Sequence, residues 1–222
     1  MRREQLFEFL EQKDLAFLLE LLDACYDEMK SDQREAVFGK LASDLPIPAV
    51  DGELLLKEVE AFRRQSLAKA FYAPFNINSK NFMHVPEETR EWFNQLGDLL
   101  QDSCRLSAQG DHQHAAACFA VLCELIEAME QGDEIVFADE LGSWMIPMEG
   151  KIWLAAYMTS LAAVSTPEEF TVRAIPLIRR DSYQSFSGKA FQSARKAADK
   201  AQKIHLDAEI KRHKIRTKST GD

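Results

Sequence analysis

Apolar residues recur at three- and four-residue spacing along most of this chain, and that period constrains the fold more than any other feature. Such spacing gathers side chains on one face of a helix, and that face must then be covered by another element. Leu15, Leu18, Leu19, Leu22, Cys25 and Tyr26 form one stripe. Trp92, Phe93, Leu96, Leu99, Leu100 and Cys104 form a second, and Ala115, Cys118, Phe119, Leu122, Ile126 and Met129 a third. Few stretches hold the Val, Ile and Thr clusters that strands favour, whereas Leu, Ala, Glu, Gln and Lys are plentiful. The expectation is an all-α fold.

Starts and stops stand beside the stripes. Leu6, Phe7, Phe9 and Leu10 begin a short helix that ends near Lys13, and Asp14 is placed to cap the next. Asp32 with Glu35 predicts a capping box for a third helix through Val37, Phe38 and Leu41, ended by Pro46 and Pro48. Asp51 opens a helix whose core face reads Leu54, Leu55, Val59, Phe62, Leu67 and Phe71, stopped by Pro74. Residues 75–85 have no helical period, but Phe75, Ile77, Phe82 and Met83 are too apolar for a free linker, so they read as an ordered loop. Pro86, Glu87 and Glu88 suit a helix N-terminus, Gly110-Asp111 a turn and Gly132 a stop.

A further hairpin follows residues 133–150. Its first helix carries Ile152, Trp153, Ala156, Tyr157 and Leu161; Thr166-Pro167-Glu168-Glu169 starts its second, which Pro176 is expected to kink. The last helix runs from Ser182 or Ser187 towards Ile215, with Ala190, Ala194, Ala197, Ala201, Ile204 and Ala208 as its stripe, fraying beyond Leu206. The architecture expected is stacked antiparallel helical hairpins, in a right-handed array or an irregular bundle, ending in a long basic C-terminal helix. It divides into residues 1–45, 46–181 and 182–222 within one compact domain.

At 222 residues the chain buries roughly 70% of its unfolded surface and needs no metal or disulfide staple. Its four cysteines form no CxxC pair and read as buried free thiols of a reducing compartment. No apolar segment follows the basic start, and the longest uncharged run, residues 152–167, is shorter than the ~20 residues of a membrane span. A cytoplasmic protein with no membrane contact is expected. Net charge is −9, unevenly spread: residues 1–170 hold 14 Lys+Arg against 31 Asp+Glu, and residues 171–222 hold 13 against 5. Such asymmetry bears on partners rather than on fold.

Gly110, Ala115, Phe119 and Leu122 match the spacing of the residues that lock together the two helices of a tetratricopeptide repeat. Trp92, Leu96 and Gly97 stand near its opening, with one extra residue between Trp92 and Leu96. Residues 90–131 thus resemble one unit of that family, with a longer Gly97–Gly110 interval than the motif has. The resemblance implies a helix-pair scaffold that binds protein segments along a groove.

No GxSxG, Walker A, GxGxxG, HExxH or CxxC…CxxC arrangement occurs, so no residue is assigned a catalytic role and no cofactor is expected. His114 and Cys118 share a helix face and Cys104 precedes the turn at a similar distance, which would supply three zinc ligands without a fourth. The alternative is two core thiols and a boundary histidine. No basic residue lies between Arg105 and Lys151, while Glu127, Glu130, Asp133, Glu134, Asp139 and Glu140 could hold a divalent cation or simply form a solvated acidic face. The irregular residues Asp139, Glu140, Trp144, Met145 and Met148 combine acid with adaptable apolar contacts, a composition common at interfaces.

Arg195, Lys196, Lys200, Lys203, Lys211, Arg212, Lys214, Arg216 and Lys218 make the C-terminal helix basic, but Asp199, Asp207 and Glu209 interrupt the patch and no aromatic platform accompanies it. The reading is a non-catalytic interaction or regulatory protein offering an acidic surface to a protein partner. That partner could be a second copy, its basic helix on the acidic middle. The alternatives are a metal-dependent hydrolase using residues 130–140 or the Cys104, His114, Cys118 group, and a nucleic-acid-associated protein acting through the basic helix.

Overall fold

The computed structural model describes residues 3–29, 37, 38, 49–76, 78, 79, 81, 84–137, 142, 145–181 and 189–215. Among them are nine α-helices and no strand: α1 (Arg3–Leu10), α2 (Leu15–Glu28), α3 (Gly52–Leu67), α4 (Glu87–Gln109), α5 (His112–Glu130), α6 (Gly150–Val164), α7 (Pro167–Asp181), α8 (Lys189–Ala197) and α9 (Lys200–Arg212). The all-α expectation holds. The chain divides into two compact units, Met1–Pro48 and Ala49–Asp222.

In the first unit Asp14 caps α2 as its position implied, its Oδ1 accepting from the Phe17 N–H at 2.9 Å. The Phe9 and Phe17 rings meet edge to face 6.5 Å apart, with the Lys13 ammonium 4.2 Å from the Phe9 centroid. This contact ties α1 to one side of α2. Of the expected third helix, Val37 and Phe38 are helical; its other residues, with Pro46 and Pro48, lie outside the described residues.

In the second unit the termini follow the local chemistry. Asp51 accepts from Leu54 N–H at 3.0 Å, Gly110 closes α4 in the left-handed conformation, and Thr166 and Glu169 bond each other's backbone N–H at the start of α7. The helix α3 ends four residues before the expected Phe71. Lys69, not glycine, takes the left-handed conformation there, with φ 62°, and Phe71 leaves to pair with Val136 in a single parallel bridge. The buried face of α3 is Leu55, Val59, Phe62 and Ser66, whereas Leu54 and Leu67 point outward. Trp92 Nε1 donates to Ser66 Oγ at 2.9 Å, joining α4 to α3 inside the core.

The helix α5 packs on α3, α4 and α6, and α4 and α5 form the expected antiparallel hairpin. The order then changes. The helices α6 and α7, joined by two residues, barely touch; α6 packs on α8 and α7 on α9. The expected hairpin over 150–181 is therefore two helices with different partners, which is not the consecutive pairing of a tandem array. The long C-terminal helix is likewise two. Asp199 breaks it by forming a capping box with Gln202, and the reset register buries Gln202, Leu206 and Ile210 in place of Ala201, Ile204 and Ala208. The Gln202 amide donates to the carbonyls of Ala162 and Ser165, capping the end of α6, so α9 is anchored to Arg212 instead of fraying. Ala190 and Ala194 are fully buried where α8 meets α6, the close approach that small side chains allow.

Gly97 lies within α4 where a Cβ would overlap the Pro147 ring. Helix propensity alone would make Gly97→Ala stabilising by about 1 kcal/mol. The overlap should reverse the sign, to a net loss of about 1–2 kcal/mol in urea denaturation. Adding Pro147→Ala should recover most of it. A more stable Gly97→Ala single variant would contradict this packing.

Candidate functional site

Glu134 and Phe137 are bound to the rest of their unit. The carbonyl of Phe137 accepts from Thr89 Oγ1 at 2.8 Å, Glu134 pairs with Lys69, and the Phe137 ring packs edge-on against Tyr72 and Phe75 at 6.2 and 5.4 Å. The segment from Lys69 to Phe75 and the segment from Glu134 to Phe137 thus hold each other in place. Met145 and Met148 are half-buried against the core. Asp139, Glu140 and Trp144 lie outside the described residues.

Two acids of the run, Glu124 and Glu130, are answered by cations from other helices. Arg180 on α7 bonds Glu130 through two nitrogens, at 2.9 and 2.6 Å, in a pair only 16% and 22% exposed. Arg63 on α3 lies 3.6 Å from Glu124. Glu127 instead accepts from the Gln131 amide at 3.1 Å. Among the described residues no group of three His, Cys, Asp or Glu side chains is placed to hold a metal ion.

Cys104, His114 and Cys118 form no such group. The His114 Nδ1 is engaged by the Asp111 carboxylate at 2.8 and 3.0 Å, and Asp111 also caps α5 through the His114 N–H at 3.3 Å. Gly52, at the start of α3, presses on this pair so closely that a Cβ would overlap both side chains. His114 therefore serves a helix-to-helix joint. Glu53, Leu56, Lys57, Glu60 and Arg64 of α3 line a shallow groove of about 350 Å³ with it, of mixed charge and without convergent donors.

His112, Ser160 and Ser107 form a chain that the sequence did not disclose. Ser160 donates to Ser107 Oγ at 2.8 Å and Ser107 to the Ala156 carbonyl at 3.2 Å. The 3.3 Å contact of His112 Nδ1 with Ser160 then runs from ring N–H to hydroxyl. A nucleophilic serine needs the opposite polarity, its own proton handed to the imidazole. Ser160 is also fully buried, so the chain ties α5 to α6 rather than presenting a nucleophile.

The basic helices spend their apolar faces internally, on Ala190, Ala194, Leu206 and Ile210. Arg195 lies 3.5 Å from Asp207, and Arg212 and His213 both lie 3.2 Å from Glu209, so part of their charge is locally balanced. Arg216 and Lys218 lie outside the described residues. No described helix is long and apolar enough to cross a membrane.

Exposed large apolar side chains are densest on the first unit, while Leu54, Leu67, Ile152, Val164, Val172 and Ile204 are exposed on the second. Leu15, Leu19 and Leu22, at positions i, i+4 and i+7 of α2, are 71%, 54% and 47% exposed, and Phe7, Phe9, Phe17 and Leu21 are also exposed. The three- and four-residue spacing predicts this stripe as core, because periodicity reports an apolar face and not what covers it. The chain matches no protein-family model, no curated protein and no solved structure.

Burial pushes the Cys104 and Cys118 thiols up to about 11 and that of Cys123 up to about 12. At pH 8 each is thiolate to about one part in a thousand or less. Only Cys25, exposed on α2, should react rapidly with a thiol reagent in the folded protein, the other three following on denaturation. Fast native labelling of more than one thiol would refute the packing around them.

Proposed function

We propose that this chain is a non-catalytic helical protein-interaction protein, in which Ala49–Asp222 is a self-supporting scaffold and α2 carries an acidic docking face. The observation that carries this reading is the exposure of Leu15, Leu19 and Leu22 along one side of α2. A contiguous apolar stripe left in water is the usual mark of an interaction site, and i, i+4, i+7 is the spacing of helix-in-groove anchors. Covering the exposed parts of the three leucines is worth about 3 kcal/mol, a hundredfold or more in affinity. The interior side chains with chemical potential are meanwhile committed to structure: His114 to Asp111, His112 to Ser160, Glu130 to Arg180.

The test uses the full chain as bait in extract of its native cell, beside a Leu15→Asp/Leu19→Asp variant. Both positions are exposed, so the variant should keep its circular dichroism spectrum and the melting of the larger unit. The expected result is a defined partner retained by the parent chain and lost by the variant. Identical capture by both would reject α2 as the docking face.

A further inference from the structure

We infer that a second surface, formed by α8 and α9 on the larger unit, holds a nucleic acid duplex by its phosphate backbone; this goes beyond the docking reading and does not depend on it. Three acids interrupt the basic run of the sequence, but none of them interrupts the surface. Asp199 commits its carboxylate to the cap of α9, accepting from the Gln202 N–H at 2.7 Å. Asp207 is met by Arg195 at 3.5 Å. Glu209 is met by Arg212 and His213, both at 3.2 Å, on the side of α9 opposite Lys200. With 100° per residue, Lys200, Lys203, Asp207 and Lys211 share an arc of roughly 80° over about 16 Å of α9. Lys189 and Lys196 share one side of α8, roughly 10 Å apart along it. The Arg195–Asp207 contact joins the two rows into one face. Lys203 is half-buried and the other four lysines are exposed; among the described residues none of the five has an ion-pair partner. The adjoining sequence brings little acid to answer them, since residues 182–188 carry no charge and Arg216 and Lys218 outnumber Asp222.

Unanswered ammonium groups in two rows call for a ligand whose negative charge repeats along its length, as a duplex does every ~1.7 Å of axis. The net charge of −9 acts weakly on this face, because exposed charges are screened beyond about 8 Å at physiological salt. Other polyanions fit less well. Ile204 is the one large apolar side chain exposed on α8 or α9. An anionic bilayer needs an apolar helix face to bury, and a protein partner needs apolar or aromatic anchors, whereas phosphate binding is supplied by charge alone. A single strand is held by stacking on open aromatic rings. Phe191, the one phenylalanine, tyrosine or tryptophan of these two helices, is half-buried with the Arg195 guanidinium 5.8 Å from its centroid.

The test titrates fluorescently labelled DNA and RNA duplexes of equal length with the full chain at increasing salt. The expected result is saturable binding without sequence preference that weakens about five hundredfold between roughly 50 and 200 mM salt, as about five phosphate contacts require. The variant Lys189→Gln/Lys196→Gln/Lys200→Gln/Lys211→Gln removes only exposed, ion-pair-free side chains and should keep its circular dichroism spectrum. It should bind at least ~30-fold more weakly at low salt and with a much flatter salt dependence. A control with the same loss of charge elsewhere, Lys57→Gln/Arg64→Gln/Arg90→Gln/Lys151→Gln, should bind as the parent does. Tighter binding of one duplex than the other names the backbone, DNA or RNA, and supports the proposal in either case. Equal weakening by both variants would overturn it by reducing the effect to net charge. Poly-glutamate or anionic phospholipid vesicles bound as tightly as the duplexes would overturn the nucleic acid as ligand, and a parent chain that binds neither duplex at low salt would overturn the site itself.

Discussion

Everything in the larger unit is arranged around three-sided burial of α5. Ala115, Cys118, Phe119, Leu122 and Ile126 have no exposed surface, and the helix touches α3, α4 and α6 together. A helix so enclosed has one side left for its charges, and Glu124, Glu127 and Glu130 occupy that side. Nothing basic lies between Arg105 and Lys151 to answer them locally. The answer comes from neighbours, Arg63 of α3 and Arg180 of α7, so the core packing also sets the electrostatics. The Arg180 pair is sheltered enough for that interaction to count, whereas the exposed Arg63 pair contributes little.

The same economy governs the buried polar groups. Buried polar groups are joined to one another rather than aimed at a cavity: Trp92 to Ser66, Gln202 to the end of α6, and the His112, Ser160, Ser107 chain across three helices. Among the described residues no buried side-chain nitrogen or oxygen lacks a partner.

Much of the helical layout was legible in the sequence because it is written in local terms. Asp14, Asp51 and Thr166 each cap the helix that their position suggested, and Gly110 turns the chain where a left-handed residue is needed. What was not legible depends on distant partners. Leu54 and Leu67 fit the α3 stripe by spacing but sit on its edge, so they face outward. The break at Asp199 looked like one polar residue in a long helix, yet its capping box with Gln202 restarts the register and moves Ile204 to the surface. The pairing of α6 with α8 carries no local signal, since a two-residue connection ordinarily suggests a hairpin. For the candidate site, the sequence supplied the α2 stripe but could not say that Leu15, Leu19 and Leu22 are exposed.

The central claim is that Leu15, Leu19 and Leu22 form an exposed face on α2, and amide hydrogen exchange of the monomeric chain tests it most directly. Helices held only by one side open locally, whereas those inside a core exchange through global unfolding. The account predicts that amides of residues 15–28 exchange on the order of a thousandfold faster than those of residues 115–126. Protection of α2 equal to that of α5, at concentrations where the chain is monomeric, would mean that the face is already occupied and would contradict the account.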